Sequence, residues 1–244
     1  MATQTTARNG QAHADLAEWR DHTRVFLQPI AAPSILGLFG FAAATFMVAA
    51  HLAGWYGGKA SPEFLFPFAA TFGGIAQFAA GMWAFRARDA LATAMHGMWG
   101  AFWMAFGILF LLVAAGDLKV PAGTWPEFGY WFLTLGAITA AGAVASVAEN
   151  LGLTATLTTL SVGSILFAVF NLVGGTGWEH TAGWVLIASA ICAFYTASAM
   201  MLKSTFGRVL LPVGEPRREA NVPGAPLTRV IEFERGEPGV KQGQ

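Results

Sequence analysis

The chain has 244 residues, of which 55% are apolar and only 11% charged, and its fourteen Lys and Arg balance its fourteen Asp and Glu. Soluble domains carry about 25% charged residues, so this composition excludes an ordinary water-soluble fold and points to a membrane. Cys192 is the single cysteine, which excludes an intramolecular disulfide.

Residues 1–34 are polar, and within them Ala14–Phe26 reads either as a short amphipathic helix on the inner membrane surface or as disordered chain. Six apolar segments follow: Ile35–Leu52, Phe64–Phe85, Ala90–Gly116, Phe128–Ala148, Leu151–Trp178 and Thr181–Met201. At about 1.5 Å rise per helical residue, each is long enough to cross a hydrocarbon layer of roughly 30 Å. None of them contains Asp or Glu; every carboxylate falls in a tail or a connection. Runs this long without apolar–polar alternation exclude a β-barrel. The expected architecture is therefore an all-α integral membrane protein, with a six-helix domain over residues 35–205 and a cytoplasmic tail over residues 206–244. That tail is rich in Pro, Gly and charge beyond Pro212, a composition that cannot bury a core. The first span begins after a polar segment, so no cleaved signal peptide is expected.

Orientation follows from the cations. The leading tail, the connection at Arg86 and Arg88, and the trailing segment together hold twelve Lys and Arg, whereas the opposite side holds only Lys59 and Lys119. Positively charged flanks stay cytoplasmic, which places both termini inside and the connections around Lys59, Lys119 and Glu179 outside. Trp55, Trp125, Trp178 and Trp184 cluster near that outer interface, where indoles anchor.

Small residues recur at helical spacing within the spans. Gly37, Gly40, Phe41, Thr45 and Val48 share a face of the first, Gly73, Gln77 and Gly81 a stripe of the second, and His96, Trp99, Gly100, Trp103 and Gly107 a stripe of the third. Such stripes serve as packing seams or as the wall of a narrow lumen. Intramembrane polar groups are costly, so Gln77, His51, His96, Asn171 and Tyr195 are candidate pathway residues. Gln77 can meet a small anion or a neighbouring helix. Either histidine can pass a proton near neutral pH or simply bond a carbonyl. Asn150, at a membrane edge, reads as a helix cap. With no carboxylate at depth, a strongly cationic substrate finds no counter-charge, and a small weak acid or neutral molecule fits better. No metal-ligand spacing, nucleophile–base pair, phosphate loop or basic–aromatic strip occurs, so no enzyme, no cofactor, no metal site and no nucleic-acid partner is expected.

Three blocks resemble the acetate uptake transporter family, the bacterial succinate–acetate permeases and their fungal relatives. Ala32-Pro33-Ser34-Ile35-Leu36-Gly37-Leu38 is similar to the family's Asn-Pro-Ala-Pro-Leu-Gly-Leu. Gly73-Gly74-Ile75-Ala76-Gln77-Phe78-Ala79-Ala80-Gly81-Met82-Trp83 with Gly100-Ala101-Phe102-Trp103 resembles the second block, and His180-Thr181-Ala182-Gly183-Trp184 with Phe206-Gly207-Arg208-Val209-Leu210-Leu211-Pro212-Val213-Gly214 the closing one. The likeness spans residues 32–214. It implies six helices around a small pore in each subunit, a homohexamer in the plasma membrane, and uptake of acetate, other short monocarboxylates or succinate, proton-linked or channel-like. It also implies a hydrophobic constriction of Phe, Tyr and Leu, with Phe41 at the Phe, Trp99 at the Tyr, and Leu160 or Leu166 at the Leu; Gln77 matches the family's Gln. Two further classes are kept open: a conduit for ammonia or another small neutral solute, and a non-transporting signalling module acting through its tail.

Overall fold

A computed structural model describes residues 30–216 apart from Lys59 and Ala122, and the fold below belongs to the compact unit that begins at Ala32. The amphipathic segment expected at Ala14–Phe26 and the tail beyond residue 216 lie outside the described residues. Six helices, each long and apolar enough to cross a membrane, make up the structure: α1 (Ser34–Leu52), α2 (Ser61–Ala87), α3 (Ala90–Ala115), α4 (Pro126–Ser146), α5 (Leu151–Val173) and α6 (Thr176–Phe206). No strand occurs among the described residues.

The boundaries shift most from the sequence reading at the end of the fifth span and at both ends of the sixth, which runs on to Phe206 where Met201 was expected. The fifth span stops at Val173 instead of Trp178, because Gly174 and Gly175 take φ of 78° and 95°, a left-handed backbone that a helix cannot continue through. The sixth helix then starts at Thr176 and draws Glu179 into its first turn. Glu63 and Glu127 likewise sit in the first turns of α2 and α4. Since α2, α4 and α6 all start at the same end of an up-and-down bundle, three carboxylates lie at helix N-termini there, where the macrodipole favours negative charge.

Within α2, residues Ala69–Ala76 form a π-helical stretch just after Pro67, which lacks an N–H to keep the α ladder in register. The Thr71 hydroxyl donates to the Pro67 carbonyl at 2.8 Å. The widened turn pushes the Phe72 carbonyl against α1 so closely that a Cβ at Gly40 would lie 2.5 Å from its oxygen.

The helices form a ring in the order α3, α2, α1, α6, α5, α4, with extensive contact between each neighbouring pair in that order. Glycines make the close approaches: Gly100 of α3 against the Phe78 backbone of α2, Gly183 of α6 against Ala49 and Ala53 at the end of α1, Gly163 of α5 against Leu186 of α6, and Gly136 of α4 against Ile165 of α5. Where α3 and α4 close the ring, backbones stay further apart and aromatic rings fill the wedge. Phe102 lies 5.2 Å from Phe132, Phe128 5.0 Å from Phe132, and Trp125 stacks on Phe110 at 6.1 Å. Outward positions carry large apolar groups such as Phe64, Val144 and Val173, all more than 70% exposed, the arrangement expected when the solvent is hydrocarbon.

Candidate functional site

Following α1 from its first residue, each turn meets a polar or aromatic group from another helix. Gly37 comes first; the His96 ring of α3 lies so flat against it that a Cβ there would fall 2.5 Å from Nδ1. One turn on, Gly40 faces Gln77 of α2, and Phe41 meets Trp99 of α3 edge-on with centroids 6.3 Å apart. A further turn on, Ala44 approaches Gly73, which also abuts Trp103. Thr45 follows, buried.

Five buried side-chain atoms find no hydrogen-bond partner among the described residues: Thr45 Oγ1, Gln77 Oε1, His96 Nδ1, Trp103 Nε1 and Ser164 Oγ. A polar group stranded in this way costs about 1–3 kcal/mol, so five of them in one bundle call for a compensating role. Four of the five lie along α1 and its facing helices, on both sides of the Phe41–Trp99 pair. That pair is buried, and its indole is tethered. Trp99 is 2% exposed, and its Nε1–H donates to Thr139 Oγ1 at 3.0 Å across the α3–α4 wedge. The Thr139 hydroxyl in turn donates to the Leu135 carbonyl at 2.7 Å, which fixes the indole's orientation.

On the α1-start side of the pair is a cavity of about 30 Å³. That is space for one or two water-sized groups, hence for a solute of a few heavy atoms. Phe41, Met95, His96 and Leu160 line its deep part, and Ser34, Ala92, Glu149 and Leu153 its rim. Three helix N-termini therefore border it: Ser34 begins α1, Ala92 lies in the first turn of α3, and Leu153 in that of α5. Asp89 caps α3, its Oδ1 accepting from Ala92 N at 2.8 Å, and Asn150 caps α5 as the sequence reading expected, accepting from Leu153 N at 2.8 Å. Glu149 keeps an exposed edge at the rim. Desolvation, joined by repulsion from Asp89, pushes its carboxyl up to about 7. Asp89 is also raised, by burial, against the lowering effect of its bonds to the Ala92 and Leu91 N–H groups.

Of the residues singled out from sequence, Phe41, Trp99, Gln77, His96 and Leu160 come together around α1. Leu166 is half-buried six residues further along α5 and does not border the cavity. His51 belongs to the other end of α1, where its Nδ1 lies 3.2 Å from the Tyr56 carbonyl. Asn171 is buried, but its Nδ2 donates to Phe167 O of its own helix at 2.8 Å. Tyr195 stands outside the group: 38% exposed, its hydroxyl donates to the Pro212 carbonyl at 2.9 Å. Thr45, Trp103, Thr139, Ser164 and Glu149 were not singled out as polar pathway groups. The signal for the first four is that of Gln77, a hydrogen-bonding group amid apolar residues. Glu149 lies outside every span and reads as an ordinary loop charge.

The sequence profile of the GPR1/FUN34/yaaH family matches residues 20–215. The chain belongs to the GPR1/FUN34/yaaH family. Two relatives and one solved structure place it within that family. It is 27% identical over 194 residues to a protein of Escherichia coli strain K12 called succinate-acetate/proton symporter SatP, covering 76% of this chain and 96% of that one. It is 26% identical over 172 residues to ammonia transport outward protein 2 of Saccharomyces cerevisiae, covering 68% of this chain and 60% of that one. The solved structure, described as that of the bacterial acetate channel SatP, superposes with a TM-score of 0.70 at 25% identity, covering 76% of this chain and 99% of that one. As a member of the GPR1/FUN34/yaaH family the chain is a multi-pass helical membrane protein with the same six-span architecture.

Proposed function

We propose that this protein is a permease for acetate and other short monocarboxylates, with succinate at the upper limit of size. The observation that carries this reading is the line of unpartnered polar atoms on either side of the Phe41–Trp99 pair, in an interior without a carboxylate. A small acid has one polar end for such atoms and one apolar end for the aromatic waist. Phe41, Trp99 and Leu160 form the neck, with Leu160 preferred over Leu166 because it borders the same cavity as Phe41. Gln77 serves the solute at the level of the neck, Thr45 beyond it and His96 before it. Moving a bare carboxylate through an apolar neck costs several kcal/mol, so the protonated acid is the species that crosses, bringing its own proton. The names of the Escherichia coli relative and of the solved structure support acetate as the solute.

The bias of Lys and Arg favours both termini on the cytoplasmic side, and resemblance to the acetate uptake transporters favours the plasma membrane and a homohexamer. Purified protein in proteoliposomes should take up labelled acetate faster than protein-free liposomes, with unlabelled acetate competing and ammonium not. Uptake indifferent to acetate but suppressed by ammonium would replace this reading with the ammonia conduit to which the name of the yeast relative points. Enlarging the waist by Trp99→Ala should admit bulkier acids; unchanged selectivity would remove Trp99 from the neck.

A further inference from the structure

We infer that Glu149 is a proton-operated gate at the mouth of the cavity that holds His96, closed to carboxylates when ionised and open when protonated. The inference rests on the permease reading and deepens it by assigning a specificity device to one end of the path.

Three features converge. The first is the rim itself, bordered by the N-termini of α1, α3 and α5, whose positive dipole ends favour negative charge, with the leading N–H groups of α3 and α5 already taken up by Asp89 and Asn150. The second is His96, 5% exposed, which lines the same cavity and whose Nδ1 has no partner among the described residues. A small acid entering from this end has that atom within the cavity as a polar target. The third is that the rim already holds a tethered carboxylate. Ionised, Glu149 repels an acid anion arriving at the mouth before that anion takes up the proton with which it crosses the neck; protonated, it offers an O–H donor instead.

The surrounding charges set when this happens. Asp89, at the start of α3, is the neighbouring charge felt by Glu149, and it cannot swing away because its side chain caps the helix. Arg88, in the same turn, is engaged in an interaction of its own. Beyond α5, Lys203 of α6 is paired with Glu215 at 2.7 Å. Within the cavity, His96 is the one titratable lining group besides Glu149 among the described residues. Desolvation and Asp89 together move the Glu149 titration close to neutrality, so the switch operates over physiological pH. The device differs from stoichiometric symport, because one proton on Glu149 opens the mouth for many solute molecules.

Equilibrium exchange of labelled acetate, with the same pH inside and outside proteoliposomes, removes any gradient as driving force. Protein-free liposomes give the leak, and dividing Glu149→Gln flux by parent flux cancels the changing fraction of protonated acetate. If only protonated Glu149 conducts, parent activity falls about tenfold per pH unit above the midpoint, so that ratio should rise from near one at about pH 6 to roughly tenfold at about pH 8. Asp89→Asn keeps a capping side chain but removes the neighbouring charge, so it should move the fall in flux to lower pH. A flux ratio constant over this range, or an Asp89→Asn profile that coincides with the parent's, overturns the gate. Parent flux equal to that of protein-free liposomes at every pH would overturn the permease reading and the gate with it.

Discussion

At the scale of single residues, the indole of the Phe41–Trp99 pair is held by a hydrogen bond between residues 40 positions apart in sequence, Trp99 Nε1–H to Thr139 Oγ1. Both residues are buried, so Thr139→Val strands a donor and should cost about 1–3 kcal/mol in folding stability. Trp99→Phe removes the donor as well, and the double variant Trp99→Phe/Thr139→Val should be less destabilised than the sum of the singles. Thermal unfolding in detergent measures this; strict additivity would show that the bond carries nothing. What the sequence disclosed at this scale was chemical oddity. Phe41, Gln77 and His96 stood out because a glycine-rich face or a polar group in an apolar run needs a reason. Pairings such as Trp99 with Thr139 were not legible, since they depend on which helices become neighbours. Tyr195 shows the opposite failure, a polar group in an apolar run that turns outward to bind the chain's own trailing segment.

At the scale of elements, α2 and α3 approach because glycine leaves room, and two glycines three positions apart make a controlled comparison. A Cβ at Gly100 would lie 2.6 Å from the Phe78 nitrogen and 2.7 Å from its Cα, backbone atoms that cannot step aside, whereas a Cβ at Gly97 would meet nothing within 4 Å. Gly100→Ala should therefore cost at least about 1–3 kcal/mol, seen as loss of monodisperse protein on size exclusion, while Gly97→Ala should leave it unchanged or improved by better helix propensity. Equal behaviour of the two would deny the tight seam. The trailing segment can be tested in a similar way. Its Val213 and Gly214 carbonyls accept from Gly152 N at 3.0 Å and Leu151 N at 3.3 Å, satisfying groups that the start of α5 leaves open. A chain stopped after Phe206 should unfold at lower temperature than the parent, and one stopped after Pro216 should match it in both stability and acetate flux. Loss of flux in the longer of these two truncated chains would restore the tail to a functional role. The six spans were legible because carboxylates are excluded from hydrocarbon. The end of the fifth was missed, although Gly174-Gly175 sits in the sequence, because glycine inside a membrane helix is common and its left-handed φ is visible only in three dimensions.

Over the whole molecule, the two ends of the bundle treat carboxylates differently. At the end where α2, α4 and α6 begin, Glu63, Glu127 and Glu179 occupy first turns of helices, positions that stabilise negative charge. At the other end, Asp89 and Glu149 lie close enough to repel, and both carboxyls are raised. The sign of the consequence for stability follows from proton binding. Between the ordinary carboxyl value of 4.5 and the folded value of about 7, native Glu149 holds a proton that the unfolded chain has released. Unfolding releases protons over that interval, so raising pH favours the unfolded chain. The contribution of Glu149 is fully present below the unfolded value and is lost as pH rises through the folded one; Asp89 acts in the same direction. The melting temperature of the parent in detergent should therefore decline more steeply than that of Glu149→Gln as pH rises from about 5 to about 8. Coincident pH slopes for the two proteins would mean that Glu149 titrates as a free surface carboxyl. The same protonation step would then be too acidic to open the mouth at neutral pH, so this equilibrium measurement, made without any substrate, bears on the proposed gate as directly as flux does.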